Sequence, residues 1–123
     1  MNGYKTKDYG QPVKRYVQTM DLKADDEFIR RYREAHDPQH FWAEIHDGIC
    51  SVGILEMEIY ILGNRLVMIV DAPVDFDWDS AMARLATLPR QAEWEAFVAQ
   101  FQQCSAEATS DEKWQMMERM FCL

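Results

Sequence analysis

Basic residues are scarce in this chain of 123 residues, where 13 Lys and Arg stand against 21 Asp and Glu for a formal net charge of −8. Duplex DNA, RNA and anionic membrane surfaces all require clustered cations, so the charge balance excludes nucleic acid and membrane as partners. Cysteine is sparse as well. Cys50, Cys104 and Cys122 are odd in number and include no CxxC pair, which speaks against a disulfide framework and a zinc knuckle. None is expected to be a nucleophile, since no His or basic cluster beside it would stabilise a thiolate. Gly48, Gly53 and Gly63 form no GxGxxG or GxxxxGK phosphate loop. No run approaches the roughly 20 apolar residues of a membrane helix. The polar stretch Met1 to Gln11 lacks the core of a secretion signal, so the expected location is the cytoplasm.

What is present is material for a core: 48% hydrophobic residues, among them four Trp, five Tyr, six Phe and eight Met. At this length one domain is the default. Residues 1–12 lack periodicity and are expected to be a flexible tail, with a single domain over 13–123. Val13 to Leu22 alternates as a strand. The acidic Asp25-Asp26-Glu27 then suits a helix N-terminus, followed by Phe28, Ile29, Tyr32 and Ala35 at helical spacing. Phe28, Tyr32 and His36 share one stripe of that helix, and Pro38 breaks it. A second helix is expected directly after Pro38, with Trp42, Ile45, Ile49 and Val52 inward and Gly53 as its stop.

Leu55 to Ile61 and Arg65 to Val70 read as strands joined at Gly63-Asn64 by a tight hairpin. The second is apolar almost throughout, which places it centrally. Asp77 or Asp79 is suited to cap a helix carrying Met82, Leu85, Ala86 and Leu88, and Trp94, Phe97, Val98 and Phe101 mark another. Residues 102–113 read as a loop, and Trp114 to Leu123 as a closing strand. The order is α+β, a split βαββαβ pattern that fits a ferredoxin-like sandwich. Helices would cover one sheet face. A second copy is the simplest cover for the other, giving a dimeric α+β barrel whose cavity Glu58 and Tyr60 would line.

Three histidines carry the candidate chemistry. His36, His40 and His46 with Glu44 superficially suggest metal ligands, but Pro38 breaks the helical spacing and no second cluster exists, so no metal is expected. His36 fits either a helix C-terminus, where its charge complements the dipole, or a general acid or base beside Tyr32. Trp42 and Trp94 fit the core or a platform for the C–H faces of a sugar. An acidic chain rich in Tyr, Trp and His, without a cofactor motif, suits a neutral polyhydroxy ligand better than a nucleotide.

Five segments together resemble the L-rhamnose mutarotase family: Glu27 to Pro38 with Tyr32 and His36, Phe41 to Ile45, the hairpin Met57 to Leu66, Glu93-Trp94-Glu95, and the ending Lys113 to Leu123. The likeness spans about residues 13 to 123. The Gly-Asn-Arg hairpin, the single Trp94 and the ending are most similar to the branch linked to L-fucose. This resemblance implies a dimeric α+β barrel, a helix-end histidine as proton donor, here His36, and a tyrosine one turn earlier, Tyr32, against the sugar. Met57 stands near the place of a family tyrosine, and Glu95 follows Trp94 where the family has a second Trp. Two extra residues lie between Pro38 and Trp42. These departures bear on which sugar is bound.

The expectation is therefore an aldose mutarotase that interconverts the anomers of a 6-deoxy-L-hexose, L-fucose before L-rhamnose, without metal or organic cofactor. His36 is the expected acid. Tyr32, Trp94, Glu95, Met57, Glu58 and Glu118 are the expected sugar contacts, with Glu58, Glu95 or Glu118 as base. The alternatives are a small monooxygenase or haem-handling enzyme of the same architecture, or a sugar-binding dimer without catalysis.

Overall fold

Alternation along the first strand decides which way the sheet faces: Gln18 and Met20 are buried, whereas Arg15 points to solvent. The computed structural model describes residues 1–105 and 107–123. Its elements are β1 (Val13–Asp21), α1 (Asp26–Ala35), α2 (Ala43–Ser51), β2 (Glu56–Leu62), β3 (Arg65–Pro73), α3 (Trp78–Leu85), α4 (Gln91–Ala99), α5 (Ser110–Lys113) and β4 (Gln115–Met116). The strands form one antiparallel sheet in the order β2-β3-β1-β4, so β3 is internal as its apolar sequence requires. This is the ferredoxin-like arrangement.

One face of the sheet supplies Met20, Leu66, Met68 and Val70 to the core, where they meet Tyr32, Ala35, Ile45, Leu85, Trp94, Val98 and Phe101 from the helices. Burial of this apolar surface is the main stabilising contribution. The hairpin register pairs Leu62 with Arg65 across Gly63-Asn64. Gly63 has φ +62°, as the first residue of a II′-type turn requires. Asn64 pins the turn to the end of β1: its carbonyl accepts from the Leu22 amide at 2.8 Å, and its side chain donates to the Leu22 carbonyl at 2.9 Å.

The other face carries Asp71, which is 2% exposed. Arg15 donates to it from Nε at 2.7 Å and from a terminal nitrogen at 2.9 Å. Residues 1–12 form neither helix nor strand, yet they are tied to the sheet. Tyr9 donates its phenolic proton to Asp71 Oδ2 at 2.6 Å, Lys7 bonds the Leu55 carbonyl at 3.1 Å, and the Tyr4 ring meets Tyr60 edge-on.

Several boundaries differ from the sequence reading, among them the end of α4 at Ala99, short of Phe101, and the run of β3 on to Pro73. The second helix starts at Ala43, because Asp37 first organises a turn: its carboxylate accepts from the Gln39 amide and its carbonyl from His40 and Phe41. The α3 helix ends at Leu85, short of Leu88. Within the expected loop 102–113, of which residue 106 lies outside the described residues, Thr109 and Glu112 form a reciprocal capping box that starts α5. The closing strand is only two residues long. Gln115 and Met116 pair with Thr19 and Gln18, Met117 adds one bond to the Val17 carbonyl, and Met120, Phe121 and Leu123 stand exposed without a strand partner among the described residues.

Candidate active site

The site begins at the C-terminal end of α1. Asp25 caps the helix by accepting from the amides of Glu27 and Phe28, each at 3.0 Å. Helical spacing then brings Tyr32 and His36 together, with ring centroids 4.4 Å apart. His36 Nδ1 lies 2.8 Å from the Tyr32 backbone oxygen. A carbonyl only accepts, so Nδ1 carries the hydrogen and Nε2 is the nitrogen left to exchange a proton. Phe41 and Trp94 flank the imidazole at 5.8 and 5.4 Å between centroids, Trp94 in a T-shaped arrangement. Burial lowers the His36 pKa below its ordinary 6.5, and the bond to the Tyr32 carbonyl opposes that shift. Tyr32 is 4% exposed. Burial keeps its phenol protonated far above the ordinary range, and Gln102 lies 3.4 Å from its oxygen.

A cavity of about 410 Å³ opens over this pair, a size typical of small-molecule sites. Ile45 and Ile49 of α2, Met57 and Ile59 of β2, and Met68 of β3 give it an apolar wall, while Gln91, Glu95 and Gln102 supply polar groups. Glu95 is held on both oxygens. Gln91 donates to Oε1 at 2.8 Å, and Lys113 Nζ lies 2.6 Å from Oε2 and 2.7 Å from the Glu95 carbonyl.

Five of the expected residues therefore meet at one cavity: His36, Tyr32, Trp94, Glu95 and Met57. Two do not. Glu58 alternates with Met57 and Ile59 onto the opposite sheet face, where it accepts from Tyr60 at 3.2 Å. Glu118 stands in the exposed stretch after β4. The cavity is thus not on the face where Glu58 and Tyr60 were expected to line it, but between the sheet and the helices. Trp94 is 6% exposed and packed against Trp42, so it serves core and cavity wall at once. Sequence reasoning passed over Phe41, Gln91, Gln102, Trp114 and Lys113. The signal available for the last two was the Lys-Trp dipeptide that opens the closing segment. It also missed that Cys50 follows His46 by one helical turn, which sets Sγ 4.0 Å from Nε2 in an exposed pair at the cavity rim. Among the described residues no three His, Cys, Asp or Glu side chains converge as metal ligands, and no described helix is long and apolar enough to cross a membrane.

An α+β sandwich with a His-Tyr pair, its tyrosine buried and its histidine partly so, an apolar wall and a fixed carboxylate defines a small-molecule site on a ferredoxin-like frame. The family model for L-rhamnose mutarotase matches residues 15–123. An L-fucose mutarotase of Xanthomonas campestris pv. campestris is 34% identical over 111 residues, covering 90% of this chain and 89% of the relative. A Dictyostelium discoideum protein of the UPF0734 group is 36% identical over 91 residues, covering 73% of this chain and 71% of its own. The solved structure of an L-rhamnose mutarotase from Formosa agariphila has the same fold, with a TM-score of 0.67 at 21% identity, covering 89% of this chain and 98% of that one. The chain belongs to the L-rhamnose mutarotase family, whose members are isomerases acting on sugars.

Proposed function

We propose that this protein interconverts the α and β anomers of a 6-deoxy-L-hexose, with L-fucose preferred over L-rhamnose, and that His36 moves the proton. The observation that carries the reading is His36 with Nε2 left to exchange a proton, in one cavity with the fixed carboxylate of Glu95. Anomer exchange requires the hemiacetal to open, the aldehyde to turn about C1–C2, and the ring to reclose. As an imidazolium, His36 donates a proton to the ring oxygen while Glu95 accepts the proton of the anomeric hydroxyl, and closing reverses both transfers. A lowered pKa makes the imidazolium a stronger acid toward a weakly basic ether oxygen. Tyr32, whose phenol stays protonated, positions the sugar.

Met57, Ile59 and Met68 offer the C6 methyl an apolar contact, and Gln91, Gln102 and Glu95 offer hydroxyl partners. Similarity over most of the chain to an L-fucose mutarotase favours fucose. The working form is a homodimer. The half-buried outer face around Val17, Val67 and Ile69, together with the exposed Met116, Met120, Phe121 and Leu123 next to it, supports a second copy as its cover. Free thiols at Cys50, Cys104 and Cys122 fit the reducing cytoplasm.

Saturation-transfer NMR between anomers of L-fucose, L-rhamnose and D-galactose tests the reading. The expected result is exchange accelerated above buffer, most for L-fucose. Exchange left at its buffer rate for all three sugars would sink it.

A further inference from the structure

Glu95 and Lys113 form the most enclosed ion pair described in the molecule, with side chains 10% and 0% exposed. Burying such a pair costs desolvation, and apolar replacements are often as stable, so stability alone does not account for it. Its place in the fold does. Lys113 ends α5, and the next residue, Trp114, lines the cavity. The Thr109–Glu112 capping box and the bond from Trp78 Nε1 to Asp111 at 2.9 Å fix α5 against the domain.

We propose that Lys113 and Gln91 are positioning residues that clamp the Glu95 carboxylate in a single orientation at the cavity wall. Lys113 spends two of its three donors on Glu95, at Oε2 and the carbonyl, while Gln91 takes Oε1. Each carboxylate oxygen keeps a lone pair for a sugar hydroxyl. This clamp rests on the anomer-exchange reading above and adds residues to it.

The groups facing Glu95 come from every neighbouring element. Tyr32 of α1 and Cys104 beyond α4 both sense its negative charge, which raises their pKa values alongside burial, and Lys113 opposes that effect at Cys104. His36, His46, Lys7 and Glu56 border the same cavity, and Glu107 and Asp111 border a smaller one of about 300 Å³ behind Glu95. Of the cations among them, Lys113 alone contacts the carboxylate.

Lys113→Met removes the charge and both Lys113 bonds to Glu95. With its carboxylate released, Glu95 should sample several orientations, so kcat for anomer exchange should fall by about tenfold or more while KM changes little. Lys113→Arg should return kcat toward its wild-type value. The NMR order parameter of the Glu95 side chain should fall together with kcat. A kcat and an order parameter that both stay in place in Lys113→Met would overturn the clamp. If Lys113→Met does not fold, Gln91→Met removes only the Oε1 bond, and the same unmoved kcat and order parameter there would overturn it. The order parameter needs no turnover. A wild type inert toward anomers would therefore defeat the enzymatic reading while the order parameter still decides the clamp.

Discussion

The imidazole of His36 is locked by the backbone oxygen of Tyr32, 2.8 Å from Nδ1 and one helical turn earlier on the same helix. A single geometric fact thus sets the tautomer, the ring orientation and the atom that exchanges protons. His36→Gln is expected to lower the catalysed anomer exchange by roughly 10²–10⁴-fold, the usual worth of a general acid, with the fold intact by circular dichroism. Full exchange in that variant would show that another group donates the proton.

The pH dependence follows from the direction of the His36 shift. Burial lowers its pKa below 6.5, so the imidazolium is lost as pH rises through that lowered value. The exchange rate should have an alkaline limb below pH 6.5, reached from an optimum where His36 is protonated. A rate that climbs with pH through this range would instead make the neutral imidazole a base.

Stability should depend on the ties of the N-terminal segment to the sheet. Arg15 above all, and also Tyr9, holds the buried Asp71 carboxyl below its ordinary 3.8, against the opposing effect of burial. A depressed folded-state pKa stabilises the protein above the unfolded value, and that contribution is lost as pH falls below 3.8 through the folded value. Asp71→Asn should destabilise by about 1–3 kcal/mol at neutral pH and flatten the acid end of the stability curve in urea titrations. The Tyr9 phenol, raised to about 12 mainly by burial and then by its bond to Asp71, should titrate that late in ultraviolet absorbance. A Tyr9 titration at its ordinary value of 10 would show that residues 1–12 leave the sheet in solution.

Carboxylates should separate by location. Glu95→Gln is expected to reduce exchange by about 10²-fold or more. Glu58→Gln and Glu118→Gln, which lie away from the cavity, should stay within about twofold of wild type. A large loss in either would mean that its residue reaches the sugar in an assembly of two chains.

Removal of residues 117–123 takes away Met117, Met120, Phe121 and Leu123, all exposed. Sedimentation velocity should then show a monomer in place of a dimer, while a dimer that survives the truncation would confine the interface to the outer sheet face.

The frame was legible because its signals are local. The acidic Asp25-Asp26-Glu27 stands at the start of α1, Asp77 caps the helix it was read as able to cap, Gly63-Asn64 makes the hairpin, and the apolar Arg65 to Val70 strand is internal. His36 and Tyr32 were legible for the same reason, being one turn apart. Trp94, Glu95 and Met57 were named through the family resemblance, but the contacts that hold them were not legible. Glu95 meets Lys113 from 18 residues away, and no periodicity encodes such a contact. Glu58 was misplaced because its strand was taken to open its carboxylate face onto the cavity, whereas the helices close over the Met57 face. The final strand was overextended because propensity says nothing about how much of an edge β1 leaves to pair.

The α5 helix, only four residues long, has consequences for how the protein breathes. A single turn cannot meet its own nucleation cost, so α5 persists through the capping box, the Trp78 indole and the salt link from Lys113 to Glu95. The dependence is mutual. Each local opening of this turn frees the carboxylate, and each loosening of the carboxylate weakens the turn. Amide hydrogens of α5 should therefore be slowed in their exchange with solvent when a sugar occupies the cavity, reporting occupancy from behind its wall.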